Sequence, residues 1–216
     1  MKETTHRSIT ETIKIFLFLS GLFVFAGFSH KTSQFFILSL AGLTGSVIVI
    51  ITEMQSFNDL YPLLGLHGTM KNKLIFLPLS ILTGLIFGVI YRNYLHIGIF
   101  PDQLTNFAMA AIAIGSTEEV MFRGYLQSRL RKVNTVLSII LPTCAHTIYK
   151  LLLFIPFQSE PDIKIVFIVQ WTFIGGLVFA LLKELSQNTL FPVLSHASFD
   201  LLVYGDNSIL AWWVWA

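Results

Sequence analysis

The chain has 216 residues, of which 54% are hydrophobic and only 12% charged, and its mean hydropathy is +0.72. Soluble domains carry about a quarter charged residues, so this composition excludes an ordinary soluble globule and marks an integral membrane protein. A net charge of +2 with no basic patch interleaved with aromatics argues against nucleic-acid binding, and the single cysteine, Cys144, excludes an intrachain disulfide or a multi-cysteine metal site.

A spanning helix needs roughly 20 largely apolar residues. The segment Met1 to Ser29 places charges ahead of an apolar stretch; with no small-x-small cleavage site and further spans following, it reads as a retained first helix over Ile13 to Phe28. Phe35 to Ile51 follows as the second span. Thr52 to Lys73, containing Pro62, Gly65 and Gly68, reads as a connection at the membrane interface, and Leu74 to Leu95 as the third span. Pro101 and Asp102 mark a loop. From Leu104 a helical pattern runs through the acidic pair Glu118 and Glu119 to Leu130. Val133 to Phe157, interrupted by Pro142, carries His146 and Lys150; Ile163 to Leu182 is a clean span apart from Gln170; Phe191 to Tyr204 carries His196 and Asp200. The tryptophan-rich tail Ile209 to Ala216 suits a membrane interface.

The expected fold is therefore all-α, a polytopic transmembrane bundle of about seven to eight hydrophobic helices forming a single membrane domain over residues 1–216. Within it, residues 1–103 supply N-terminal helices and a connection, and 104–204 the chemistry-bearing core. Cytoplasmic segments retain Lys and Arg. With the N-terminus inside, Lys2, Arg7, Lys14, Lys71, Lys73, Arg129, Arg131, Lys132 and Lys183 lie inside, against Lys31, Arg92, Lys150 and Lys164 outside. That asymmetry predicts a multi-pass protein of the cell membrane with a cytoplasmic N-terminus.

Ionisable groups at bilayer depth cost several kcal/mol by roughly any scale and are kept where they face a partner or a wet cavity. On a helix Glu119 and Arg123 share a face and can pair as a structural brace, while Glu118 is rotated by about 100° and is free to act as a base or metal ligand. His196 and Asp200 are also four apart; a carboxylate beside an imidazole fixes its tautomer and raises its basicity. Each group alone fits a solvated helix end or a packing hydrogen bond. Taken together with His146, they form a set able to activate water. His67 and His96 read as interfacial, Lys150 as a side chain snorkelling to the interface, and Cys144 as inert packing. There is no His-Glu-x-x-His and no Gly-x-Ser-x-Gly motif.

The order Glu118-Glu119-x-x-x-Arg123, then His146, then His196-x-x-x-Asp200 after Pro192 resembles the CPBP (Abi) family of intramembrane proteases, which contains CAAX prenyl endopeptidases and bacteriocin-processing or immunity proteins. Two positions depart from its pattern: Pro142 stands where an aromatic usually precedes the histidine, and Asp200 where Asn is common. The resemblance implies an intramembrane endopeptidase in which Glu118 and His146 activate water. It also implies that His196 and Asp200 serve the oxyanion, although an ionised aspartate cannot donate to one and would better orient His196. It further implies a membrane-associated or lipidated peptide as substrate, amid membrane lipid. A zinc or other divalent metal on Glu118, His146 and His196 stays open beside a metal-free scheme. Two rival readings are a non-enzymatic immunity or scaffold protein of the same fold, and an ion-coupled transporter. Paired broken helices, which would favour a transporter, are not evident.

Overall fold

The computed structural model describes residues 2–29, 33–54, 56, 61, 70–157 and 165–206. Most of the connection 52–73 and the tail 209–216 lie outside them. The described residues form seven helical rods and no strand. These are α1 (Lys2–Phe28), α2 (Ser33–Ile51), α3 (Met70–Tyr94), α4, α5 (Thr135–Phe154), α6 (Ile165–Ser186) and α7 (Leu190–Tyr204). The α4 rod begins as Asn106–Glu119, passes through a π-helical stretch, Val120–Gln127, and ends as Ser128–Arg131.

Among the described residues, four helices are long and apolar enough to cross a membrane: Thr10–Phe28, Leu74–Tyr94, Thr135–Phe154 and Ile165–Ser186. Ile37–Ile51 and Leu190–Tyr204 are shorter apolar helices, and α4 is not among the long candidates. Polarity is distributed inside out: Leu74 and Phe16 are 75% and 67% exposed, whereas Glu119, Arg123 and Arg92 are almost wholly buried. An apolar exterior around buried charges is the arrangement lipid demands.

Helix starts follow local chemistry. The Thr105 hydroxyl accepts from the Ala108 amide at the head of α4, and Asn134 Oδ1 from Leu137 N at 3.0 Å at the head of α5, each satisfying an orphan donor of the first turn. Pro142 removes a backbone donor within α5 yet stays inside the helix, buried one turn before His146.

Packing places α7 at the centre, against α3, α4 and α6, while α5 lies between α1, α6 and the π stretch, and α1 pairs with α2. The seam of α3 with α7 is built from small residues: a Cβ on Gly84 would fall 2.0 Å from the Ser195 carbonyl oxygen, and Ser195 Oγ donates to the Ser80 carbonyl at 2.8 Å. Such close backbone approach is how membrane helices gain van der Waals contact where lipid provides no hydrophobic drive. On the other side, Phe18, Leu22 and Ala26 of α1 pack with Phe122, Tyr125 and Leu126 of the π stretch and with Tyr149 and Leu153 of α5. One side of α4 is thus held by α1 and α5 and the other by α7, which brings α5 and α7 to the same stretch of α4.

Candidate functional site

Glu118 and Glu119 close the α-helical part of α4, and Arg123 lies in the π stretch that follows. A π turn is wider than an α turn and recurs at functional sites. Here it is buried from Met121 to Gln127, with Gln127 Nε2 donating to the Ala180 carbonyl at 2.9 Å.

The two adjacent carboxylates hold different histidines. Glu118 Oε2 lies 3.2 Å from His146 Nε2 on α5, and Glu119 Oε1 lies 3.0 Å from His196 Nδ1 on α7. Arg123 Nη1 joins the halves, donating to Glu119 Oε1 at 3.2 Å and to His146 Nδ1 at 2.7 Å. The expected Glu119–Arg123 pair therefore forms, but each member has a second partner on another helix.

That network assigns the protons. A guanidinium only donates, so His146 Nδ1 is an acceptor, and the neutral ring carries its proton on Nε2, facing Glu118. The Phe122 ring stacks on this imidazole at a centroid distance of 4.6 Å and 23° between planes, which fixes its orientation. His196 Nδ1 donates to the Glu119 carboxylate. Its Nε2 lies 3.8 Å from Asp200 Oδ1, beyond hydrogen-bond length. The carboxylate in contact with His196 is thus Glu119 on a neighbouring helix, rather than Asp200 one turn along its own. The two imidazoles stand 6.3 Å apart between centroids.

Gly115, one turn before the acidic pair, makes room for this crossing: a Cβ there would fall 2.3 Å from Asp200 Oδ2 and 2.8 Å from His196 Cδ2. Gly176 of α6 does the same for Arg123, with Nη2 only 2.8 Å from its would-be Cβ. Buried polar atoms without a protein hydrogen bond gather here: Glu118 Oε1, Glu119 Oε2, Asp200 Oδ2, and Nε and Nη2 of Arg123. Buried polar groups are otherwise nearly always paired, so their concentration marks a site for a polar guest.

The sequence reading missed one contribution. Lys150 does not extend away to the interface; its Nζ lies 2.5 Å from Glu118 Oε1, an ion pair whose approach falls outside hydrogen-bond angles. Four residues separate it from His146, which was the available signal. Arg92, counted among the positive charges outside, is buried at the far end of α3 and lies outside this cluster. His96 is exposed in the turn after α3, His67 lies outside the described residues, and Cys144 is a half-buried free thiol apart from the network.

The donor set was tested against a zinc ion. Glu118 Oε2 and His146 Nε2 at 3.2 Å would suit one edge of a tetrahedron with bonds of about 2.0 Å. A third donor does not join them: among the described residues no three His, Cys, Asp or Glu side chains are placed to hold one metal ion. The Lys150 ammonium beside Glu118 Oε1 further opposes a cation at that carboxylate. This arrangement does not fit a three-ligand metal site.

Fold and site together define a polytopic helical membrane protein with a buried carboxylate–imidazole site formed where three helices meet. Residues 100–202 match the family model described as Rce1-like, type II CAAX prenyl endopeptidase Rce1-like. The match covers just under half of the chain and contains α4, α5, α6 and most of α7. This stretch is thus similar to the CPBP/CAAX-type intramembrane proteases. No curated protein and no solved structure matches the chain.

Proposed function

We propose that the protein is an intramembrane endopeptidase that cleaves a membrane-associated peptide substrate with water activated by Glu118. The observation that carries this reading is the convergence of Glu118 with His146 and of Glu119 with His196 on one turn of α4. Residues 104–204 act as the catalytic core, residues 1–103 supply the N-terminal helices and a connection, and the N-terminus lies on the cytoplasmic side of the cell membrane.

In this scheme Glu118 is the general base, because the ring proton of His146 already points at it and Arg123 blocks the other nitrogen. Glu118 takes one proton of water as the hydroxyl oxygen attacks the scissile carbonyl carbon. His146 Nε2–H steadies the carboxylate in the right rotamer. His196, its Nδ1 proton held by Glu119, presents Nε2 to the carbonyl oxygen and, when doubly protonated, donates to the oxyanion. Asp200, close to Nε2 without bonding it, contributes negative charge that balances that imidazolium. As the C–N bond breaks, Glu118 returns its proton to the leaving amine.

The test is cleavage in proteoliposomes of two internally quenched peptides, one farnesylated with a CAAX-type C-terminus and one an unprenylated transmembrane segment. Wild type should cleave one of them and folded Glu118→Ala should lose about 10²–10⁴ of the rate, the usual worth of a general base. Cleavage by Glu118→Ala at the wild-type rate would overturn the mechanism. Failure of wild type on both peptides would overturn the substrate class.

A further inference from the structure

We infer that Lys150 is the positioning residue for Glu118, the counter-ion that holds one carboxylate oxygen so that the other works on water; this rests on the role proposed for Glu118. His146 and Lys150 occupy consecutive turns of one face of α5, and both reach the same carboxylate. The oxygens are divided between them: Oε2 faces His146 Nε2 at 3.2 Å, and Oε1 faces Lys150 Nζ at 2.5 Å. Glu118 is gripped at both oxygens from a single helix, with its side-chain torsions set.

Charge balance requires such a cation. Two adjacent buried glutamates stand on α4, and the Arg123 nitrogen that reaches this cluster is already shared between Glu119 and His146. Among the described residues Lys150 is the cation in contact with Glu118. Around that carboxylate stand His146 and Lys150 from α5, Glu119 and Arg123 from α4 itself, and His196 and Asp200 from α7. Lys150 thus stands to Glu118 as Arg123 stands to Glu119, giving two cations for two carboxylates. The Lys150 side chain is 19% exposed, against 4% for that of Glu118.

The role has a mechanistic consequence. A cation at Oε1 favours the ionised carboxylate in the resting enzyme and makes its protonated form short-lived, pressing the proton onward to the leaving amine.

Two measurements on the full-length protein in nanodiscs decide the matter. The first needs no turnover: trace labelling with isotopic acetic anhydride, read by mass spectrometry, with exposed Lys132 as internal reference. Lys150 should label slowly in wild type and about tenfold faster in Glu118→Gln, where the opposing charge is gone. Equal labelling overturns the inference. The second is the pH profile of cleavage of whichever quenched peptide wild type accepts. Lys150→Met should move the acid limb of kcat/KM to higher pH by about 1–3 units, as expected for loss of an opposite charge in contact, and Lys150→Arg should restore it with KM little changed. An unmoved limb in an active Lys150→Met protein overturns the inference. Faster labelling in Glu118→Gln together with a wild type that cleaves neither peptide upholds the ion pair and overturns the proposed substrate class instead.

Discussion

Two arginines are buried among the described residues, and their environments are opposite. Arg92, at the end of α3, is saturated. Its Nε donates to the Gly98 carbonyl, Nη1 to Leu202 O at 3.0 Å and Asp206 Oδ1 at 2.8 Å, and Nη2 to Phe100 O at 3.2 Å and Asp206 Oδ2 at 3.0 Å. It ties the loop after α3 to the last turn of α7, where the free carbonyls and negative end of the helix dipole favour a cation. Arg123 has one nitrogen engaged and two without a hydrogen-bond partner. A buried guanidinium with every nitrogen bonded to backbone and a bidentate carboxylate is a clasp. One that leaves donors unspent beside two imidazoles and two carboxylates belongs to a site.

Five substitutions can break or sharpen this contrast. The largest effect is expected for Arg123→Met, which frees His146 Nδ1 and leaves Glu119 without its cation. Peptide cleavage per folded molecule should fall about 10²–10⁴-fold, and retention of more than a tenth of the activity would reassign Arg123 to packing. Arg92→Met should act the other way. Its loss leaves the carbonyls of Gly98, Phe100 and Leu202 without their donor, at a cost of about 1–3 kcal/mol, so thermal unfolding in detergent should shift down while activity of the folded fraction stays within about twofold. An unchanged midpoint would remove the clasp.

Gly115→Ala comes next. Its Cβ would collide with Asp200 and His196, and overpacking of this kind costs about 1–3 kcal/mol. The loss should appear in both the unfolding midpoint and kcat. Gly175→Ala, with nothing within 4 Å of the new Cβ, is the matched control and should be neutral or slightly stabilising. The smallest effect is pH-dependent. The hydrogen bonds from Arg92 hold the Asp206 carboxyl below its ordinary range. A folded-state value depressed below the unfolded one contributes stability that is present above the unfolded pKa and lost as pH falls through the folded one. The midpoint of wild type should therefore drop more steeply than that of Asp206→Asn on acidification below about pH 4; parallel curves would show that the clasp does not depend on this charge.

Composition and hydropathy determined the all-α membrane class, because in lipid every backbone group must be satisfied within helices. The chain also declared its polar set: Glu118, Glu119, Arg123, His146, His196 and Asp200 stood out because ionisable groups are rare and costly in such surroundings. Their spacing within a helix was legible where both partners share that helix, and Glu119 and Arg123 do pair at 3.2 Å.

Contacts between helices were not legible. Four-residue spacing linked His196 to Asp200, yet the rotation of α7 against α4 carries its Nδ1 to Glu119 and leaves Asp200 at 3.8 Å from Nε2. Lys150 looked free to reach the interface, yet α5 turns it onto Glu118. The π stretch had no sequence marker. Tertiary structure decided these points because a side chain at helical spacing faces a direction and not a partner. Which carboxylate meets which imidazole depends on the depth and rotation at which helices cross, set here by close approaches at Gly84, Gly115 and Gly176.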